Sequence, residues 1–107
     1  MDAILLIKVF SNPNEAVEGA DVVITDTWVS MGMNPNLKRL EKFKNFQINS
    51  QLVNKTKKNS FILHCLPAHR GEEITNEIID GKNSLVWDEA ENRLYTHQSI
   101  LLWCLNL

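Results

Sequence analysis

Phe61-Ile62-Leu63-His64-Cys65-Leu66-Pro67-Ala68-His69-Arg70-Gly71-Glu72-Glu73 is the stretch that decides how this chain folds. An apolar, strand-like run stops abruptly at His, Cys and Pro. A charged cluster follows, and then a helix-like segment. In open α/β sheets, ligands bind just beyond the carboxyl ends of the strands. The stretch therefore predicts a buried strand that delivers polar groups to one wall of a small-molecule site.

Two further runs behave the same way. Val22-Val23-Ile24 leads into Thr25-Asp26-Thr27-Trp28, and Leu85-Val86-Trp87 leads into Asp88-Glu89-Ala90-Glu91-Asn92-Arg93. Ile4 to Phe10, apolar and rich in β-branched residues, predicts another strand. These runs are continuous rather than alternating, as expected of strands covered on both faces. Between them, Ser11 to Asn14 predicts a turn with capping potential, and Glu15 to Glu18 a short helix closed by Gly19. Thr27 to Asn36 reads as a loop broken by Gly32 and Pro35. Leu37, Leu40 and Phe43 predict an amphipathic helix. Further helices are expected over Ser50 to Thr56, capped by Ser50, over Glu72 to Asp80, stopping at Gly81, and over Asn92 to Leu105.

Strands alternating with helices imply an α/β fold: a mostly parallel sheet of about four strands flanked by helices, a partial Rossmann-like domain with a C-terminal apolar helix. In such a sheet the ends after Ile24, Leu63 and Trp87 share one edge. Asp26, His64, Cys65 and Arg93, far apart in sequence, are then expected to converge.

Composition narrows the function classes. The 107 residues suffice for one small domain, and 44% hydrophobic with 22% charged residues is ordinary for a globular chain. The formal net charge is -2. The lysines gather in 38–58 among Asn and Gln, as on solvated helix faces, so no nucleic-acid partner is expected. No apolar run is long enough to span a bilayer, so no membrane partner is expected. Asp2 stands where a signal peptide carries basic residues. Two cysteines form no disulfide framework, and a reducing cytoplasm fits them.

Each polar group also has a plain structural reading. Asp26 reads equally as a turn cap. Cys65 reads as a small buried hydrophobe, and His64 as a core histidine satisfied by backbone. Arg93 reads as a surface ion-pair partner, and at least two of Asp88, Glu89 and Glu91 as a solvated turn. For a metal, His64, Cys65 and His69 are nominal ligands. Adjacent strand residues point to opposite faces, however, and no Cys-x2-Cys or His-x3-His pair is present, so no metal is expected. Cys65 with His69 is a candidate nucleophilic pair, although Pro67 intervenes and no third orienting group is evident. The four glycines are isolated, with no phosphate loop, and only Arg70 and Arg93 of the three arginines lie near the expected edge. No cofactor is expected.

Taken together, these motifs resemble the ornithine carbamoyltransferase family. Asp26-Thr27-Trp28-Val29-Ser30-Met31-Gly32 matches its Asp-x-x-x-Ser-Met-Gly loop. His64-Cys65-Leu66-Pro67 matches its His-Cys-Leu-Pro motif, and Asp88 to Arg93 matches the segment carrying a carbamoyl-phosphate arginine. Order and spacing agree over nearly the whole chain. The aspartate-specific relative typically has Pro where Cys65 stands and lacks the Ser-Met-Gly loop.

The resemblance implies roles. Asp26 and Ser30 are expected to hold the α-amino group of ornithine, with the Met31 backbone near its carboxylate. Cys65 is expected beside the δ-amine and the carbamoyl group, with a thiolate helping to tune the amine. Leu66 would offer its main chain, and Arg93 would contact carbamoyl phosphate. Partners are thus ornithine and carbamoyl phosphate. The resemblance covers only the second half of the ornithine domain plus a terminal helix. The chain is expected to be a truncated ornithine-binding domain, with the carbamoyl-phosphate domain and its Ser-Thr-Arg-Thr-Arg loop absent. It is therefore expected to be inactive alone. It would be complemented by an N-terminal fragment, or would serve as a non-enzymatic ornithine-binding or self-associating module through Ile100, Leu101, Leu102, Trp103 and Leu105.

Overall fold

In the computed structural model, residues 6–30, 32–34 and 37–107 are described. Element order is α1 (Pro13–Ala16), β1 (Val22–Thr25), α2 (Leu37–Phe43), a 3-10 turn (Lys44–Phe46), α3 (Ser50–Val53), β2 (Phe61–His64), α4 (Asn76–Ile79) and α5 (Val86–Leu105). The fold is α/β. Its sheet, among the described residues, has two parallel strands in the register Val22↔Phe61, Val23↔Ile62, Ile24↔Leu63 and Thr25↔His64.

Two of the four expected strands are therefore not found. Just before Leu85–Trp87 the chain meets β2 in an isolated Ile62↔Ser84 bridge, with Ile62 N donating to Asn83 O at 3.0 Å and Leu85 N to Ile62 O at 2.9 Å. It then turns directly into α5. A three-residue apolar run looks the same in a strand and in a helix. Here Asp88 and Glu89 favour the helix, because carboxylates in a first turn face the positive end of the helix dipole. Val86 is fully buried while Trp87 is half exposed.

The Ile4–Phe10 strand is corrected over its described part. Ile4 and Leu5 lie outside the described residues, and residues 6–10 form no strand. Leu6, Ile7 and Val9 are exposed. Strand composition stabilises nothing without a partner to complete the ladder.

Helix boundaries shift for local reasons. α1 starts earlier than expected: the Asn12 side chain accepts from Asn14 N at 3.0 Å, and Pro13 supplies a first turn that needs no N–H. α1 also ends earlier, at Ala16 with Val17 as its C-cap, rather than at Glu18 against Gly19; Gly19, at φ 68°, stands in the turn that follows. α3 is capped by Asn49 rather than Ser50, through Leu52 N to Asn49 Oδ1 at 3.1 Å, and it ends at Val53. The helix expected from Glu72 begins only at Asn76. The preceding residues instead bridge to Ile48, with Ile48 N donating to Glu73 O at 2.8 Å and Thr75 N to Ile48 O at 3.1 Å. α5 begins six residues before the expected Asn92 and spans 20 residues. Asn106, at φ 56°, ends it in the left-handed cap that helices favour.

The core gathers Val17, Val23, Ile48, Leu52, Ile62, Ile74, Ile79 and Val86. The strands are buried mainly on one face: Val23 of β1 and Ile62 and His64 of β2 are buried, while Val22, Ile24 and Phe61 are exposed, so the covering of both faces expected from the continuous apolar runs is not found among the described residues. Every residue from Glu91 to Leu107 is exposed. The Cα radius of gyration is 16.4 Å, against roughly 13 Å for a compact domain of this length. Among the described residues no helix is long and apolar enough to cross a membrane.

Candidate active-site wall

Because Thr25 sits opposite His64, the residues that leave the two strands, Asp26 and Cys65, emerge side by side. The Cys65 thiol donates to Asp26 Oδ1 across 2.8 Å. The same oxygen accepts from Thr27 N at 2.6 Å. The thiol bond, more than the backbone bond, holds the Asp26 carboxyl below the usual carboxylate range. Partial burial pushes the Cys65 thiol up to about 11, and the Asp26 hydrogen bond and charge add to the rise; the Arg93 charge opposes it. The expected thiolate is thus replaced by a neutral thiol that donates a proton to a carboxylate.

The loop after β1 is anchored by Trp28, which is buried and stacked on Phe43 with ring centroids 5.9 Å apart. Phe43 in turn packs edge-on against Phe46, and the Arg39 guanidinium lies over it. This aromatic footing fixes Thr27 to Ser30. Ser30 lines a cleft of about 280 Å³ with Thr27, Val29, Pro67 and His69, so the two motif loops face one space. Met31 lies outside the described residues. Arg93 lines a separate cleft of about 400 Å³ beside the end of β2, with Leu63, Leu85, Glu89 and Asn92. Asp26 and Cys65 are thereby joined by a hydrogen bond, the Arg93 charge acts on the same thiol, and Ser30 lines the cleft beside Pro67.

The candidate Cys65–His69 nucleophilic pair does not form. His69 Nδ1 is bonded to Thr27 Oγ1 at 2.8 Å, and Cys65 to Asp26. His64 is indeed a core histidine, fully buried. Its Nδ1 takes the Leu66 N–H at 2.8 Å, while its Nε2 meets Glu73 Oε1 at 3.0 Å. Glu89 is no solvated acid, since its Oε2 accepts from His64 N at 3.0 Å; Asp88 and Glu91 are exposed. Glu73 escaped the sequence reading because it sits in a charged run. Its one signal was its neighbour Ile74, which had to point inward. His69, Glu72 and Glu73 bring ligand atoms within 4.8 Å of one another. His69 Nδ1 and Glu73 Oε1 are engaged by protein partners, whereas the buried Glu73 Oε2 has no hydrogen-bond partner.

Comparison with known proteins decides the family. The model of the aspartate/ornithine carbamoyltransferase Asp/Orn-binding domain matches residues 5–104. The chain belongs to the aspartate/ornithine carbamoyltransferase family. Among curated relatives, ornithine carbamoyltransferase from Mycolicibacterium gilvum is 51% identical over 100 residues, covering 92% of this chain and 33% of the relative. That from Rhodopseudomonas palustris (strain BisA53) is 54% identical over 94 residues, covering 88% and 30%. The solved Pyrococcus furiosus ornithine carbamoyltransferase superposes with a TM-score of 0.79 at 48% identity, covering 85% of this chain and 29% of that one. The Campylobacter jejuni enzyme gives 0.80 at 40%, covering 89% and 31%. The chain thus spans about a third of the length of the curated relatives it matches.

Proposed function

We propose that this chain forms the amino-acid-binding wall of an ornithine carbamoyltransferase. The observation that carries the reading is the Asp26–Cys65 contact at the paired ends of β1 and β2, with the Arg93 charge acting on the same thiol. Asp26 and Ser30 take the α-amino group of ornithine, and the Met31 backbone its carboxylate. Cys65 and the Leu66 main chain face the δ-amine and the carbamoyl group, and Arg93 meets carbamoyl phosphate. In the reaction, the neutral δ-amine attacks the carbamoyl carbon. A C–N bond forms, the bond to the phosphate oxygen breaks, phosphate leaves with the electron pair, and the amine releases a proton. A neutral thiol beside a carboxylate suits this role: it donates a hydrogen bond without competing as a nucleophile.

The chain by itself is a half-site. Stabilising the charge of a leaving phosphate needs several fixed cationic donors. Arg70 is engaged by Asp80 and Asn76, and Arg39 lies over Phe43, which leaves Arg93 at the cleft. Turnover then depends on a carbamoyl-phosphate domain supplied elsewhere, such as a complementing N-terminal fragment. Two free thiols are in keeping with a cytoplasmic setting. Calorimetry with ornithine tests the wall directly: heat of binding is expected from the chain and not from Asp26→Asn. Equal binding by both would remove Asp26 from the site.

A second reading is favoured by the bare end of α5. Ile100, Leu101, Leu102, Trp103 and Leu105 are all at least half exposed. Apolar patches of this kind mark association surfaces. Self-association of the chain is then expected, and a clean monomer at high concentration in analytical ultracentrifugation would contradict it.

A further inference from the structure

The carboxylate of Glu73 is fully buried, and one of its oxygens does two jobs. Oε1 lies 3.0 Å from His64 Nε2 and accepts from His69 N at 2.5 Å. The other side of the His64 ring settles the proton. Leu66 N donates to His64 Nδ1 at 2.8 Å, so Nδ1 is an acceptor and carries no hydrogen. The ring proton therefore sits on Nε2 and points at Glu73. A histidine's tautomer is set by the hydrogen bond its other nitrogen makes. Leu66 is held at φ 55°, a region that a side chain with a β-carbon resists, so its N–H needs a fixed acceptor to keep the backbone there.

We propose that Glu73 is a positioning residue: it locks His64 in the Nε2–H tautomer, so that Nδ1 holds the Leu66 N–H and fixes the Cys65–Leu66 backbone. This rests on the reading that Cys65 and Leu66 face the carbamoyl group. The same carboxylate also spaces the second loop. It grips His69 N, and His69 Nδ1 meets Thr27 Oγ1 at 2.8 Å. The Thr27 hydroxyl in turn donates to Val29 O at 3.1 Å, inside the loop that carries Asp26 and Ser30. One buried acid thus ties both motif loops to a single point. Glu73 Oε2 has no hydrogen-bond partner and stands 3.9 Å from His69 Nδ1, so the full weight of the arrangement falls on Oε1.

The test uses the full chain carrying Cys104→Ser, which leaves Cys65 as the single thiol. Long-range proton–nitrogen correlation spectra of the imidazoles read the tautomer directly. The expected result is His64 with a bare Nδ1. Glu73→Leu is expected to lose that signature, and to speed Leu66 amide exchange and Cys65 alkylation roughly tenfold, the weight of one net hydrogen bond. Glu73→Gln keeps an acceptor oxygen and is expected to stay within about twofold of the parent. A protonated Nδ1 in the parent would overturn the proposal. So would a folded Glu73→Leu chain with unchanged exchange and alkylation, or Glu73→Gln behaving like Glu73→Leu. Should Glu73→Leu fail to fold, the parent tautomer and the Gln variant still decide. None of these readouts involves a substrate. A chain that binds no ornithine but shows the tautomer lock would sink the assignment of the wall and leave the positioning role standing.

Discussion

The paired strand ends and the far half of α5 are built on opposite principles. Around β1 and β2, polar groups answer one another: Cys65 to Asp26, His64 to Glu73 and Leu66, His69 to Thr27, Glu89 to the His64 backbone. That network rests on Ile62, Ile74, Ile79 and Val86, which are almost wholly buried. From Glu91 onward α5 is exposed on every side, and Trp103 retains 79% of its accessible surface. The difference teaches that the chemistry-bearing edge pairs most of its polar groups with one another, with Glu73 Oε2 left over, whereas the helix end presents apolar surface that the other described residues do not cover.

The strongest way to break this contrast is to hollow the supported side. Ile62→Ala removes buried atoms from the strand that carries His64 and should cost about 2–5 kcal/mol. Ordinary domains hold only about 5–15 kcal/mol in total. A large loss of far-UV helical and sheet signal, or a steep fall in melting temperature, is the expected measurement; an unchanged melting curve would mean that β2 is not the core.

The next effect sharpens the contrast through pH. In a Cys104→Ser background, Cys65 alkylation should rise with a midpoint near 11 rather than at the ordinary thiol value of 9.0. The sign follows from linkage. The fold favours the protonated thiol, so its contribution to stability is complete below pH 9 and is lost as the pH climbs toward about 11, because the unfolded chain ionises first. Asp26→Asn removes the carboxylate charge and should move the midpoint down. A parent midpoint at 9 would contradict both the burial of the thiol and its contact with Asp26, and a midpoint unmoved by Asp26→Asn would contradict the contact alone.

What the sequence made legible follows the same division. β1 and β2 were readable because each apolar run ends at residues that cannot stay buried without a partner, and the parallel register then put Asp26 beside Cys65. Leu85–Trp87 was not readable as a helix start, because three apolar residues carry no period and only the following carboxylates tip the balance. Residues 6–10 have strand composition, but pairing is a tertiary fact. Glu73 was hidden for the opposite reason: a Glu in a charged run reads as surface, and only its partners His64 and His69, brought in by the fold, make it core.

Two smaller effects should fall on the exposed side. Trp103→Ala is expected to leave the stability of the dilute monomer within about 0.5 kcal/mol, while weakening any self-association seen by sedimentation. A large loss of monomer stability would mean that Trp103 packs within its own chain. Lys57→Ala removes an ion pair with Asp21 at 2.7 Å between exposed side chains, and a change under about 1 kcal/mol is expected on thermal melting.

The most direct test of the half-site account is citrulline formation by the purified chain, measured alone and together with a separately supplied carbamoyl-phosphate-binding fragment of a relative. The account predicts no turnover alone, and turnover on mixing that Arg93→Ala abolishes. Robust citrulline production by the chain alone, or none from a folded and associated pair, would contradict it.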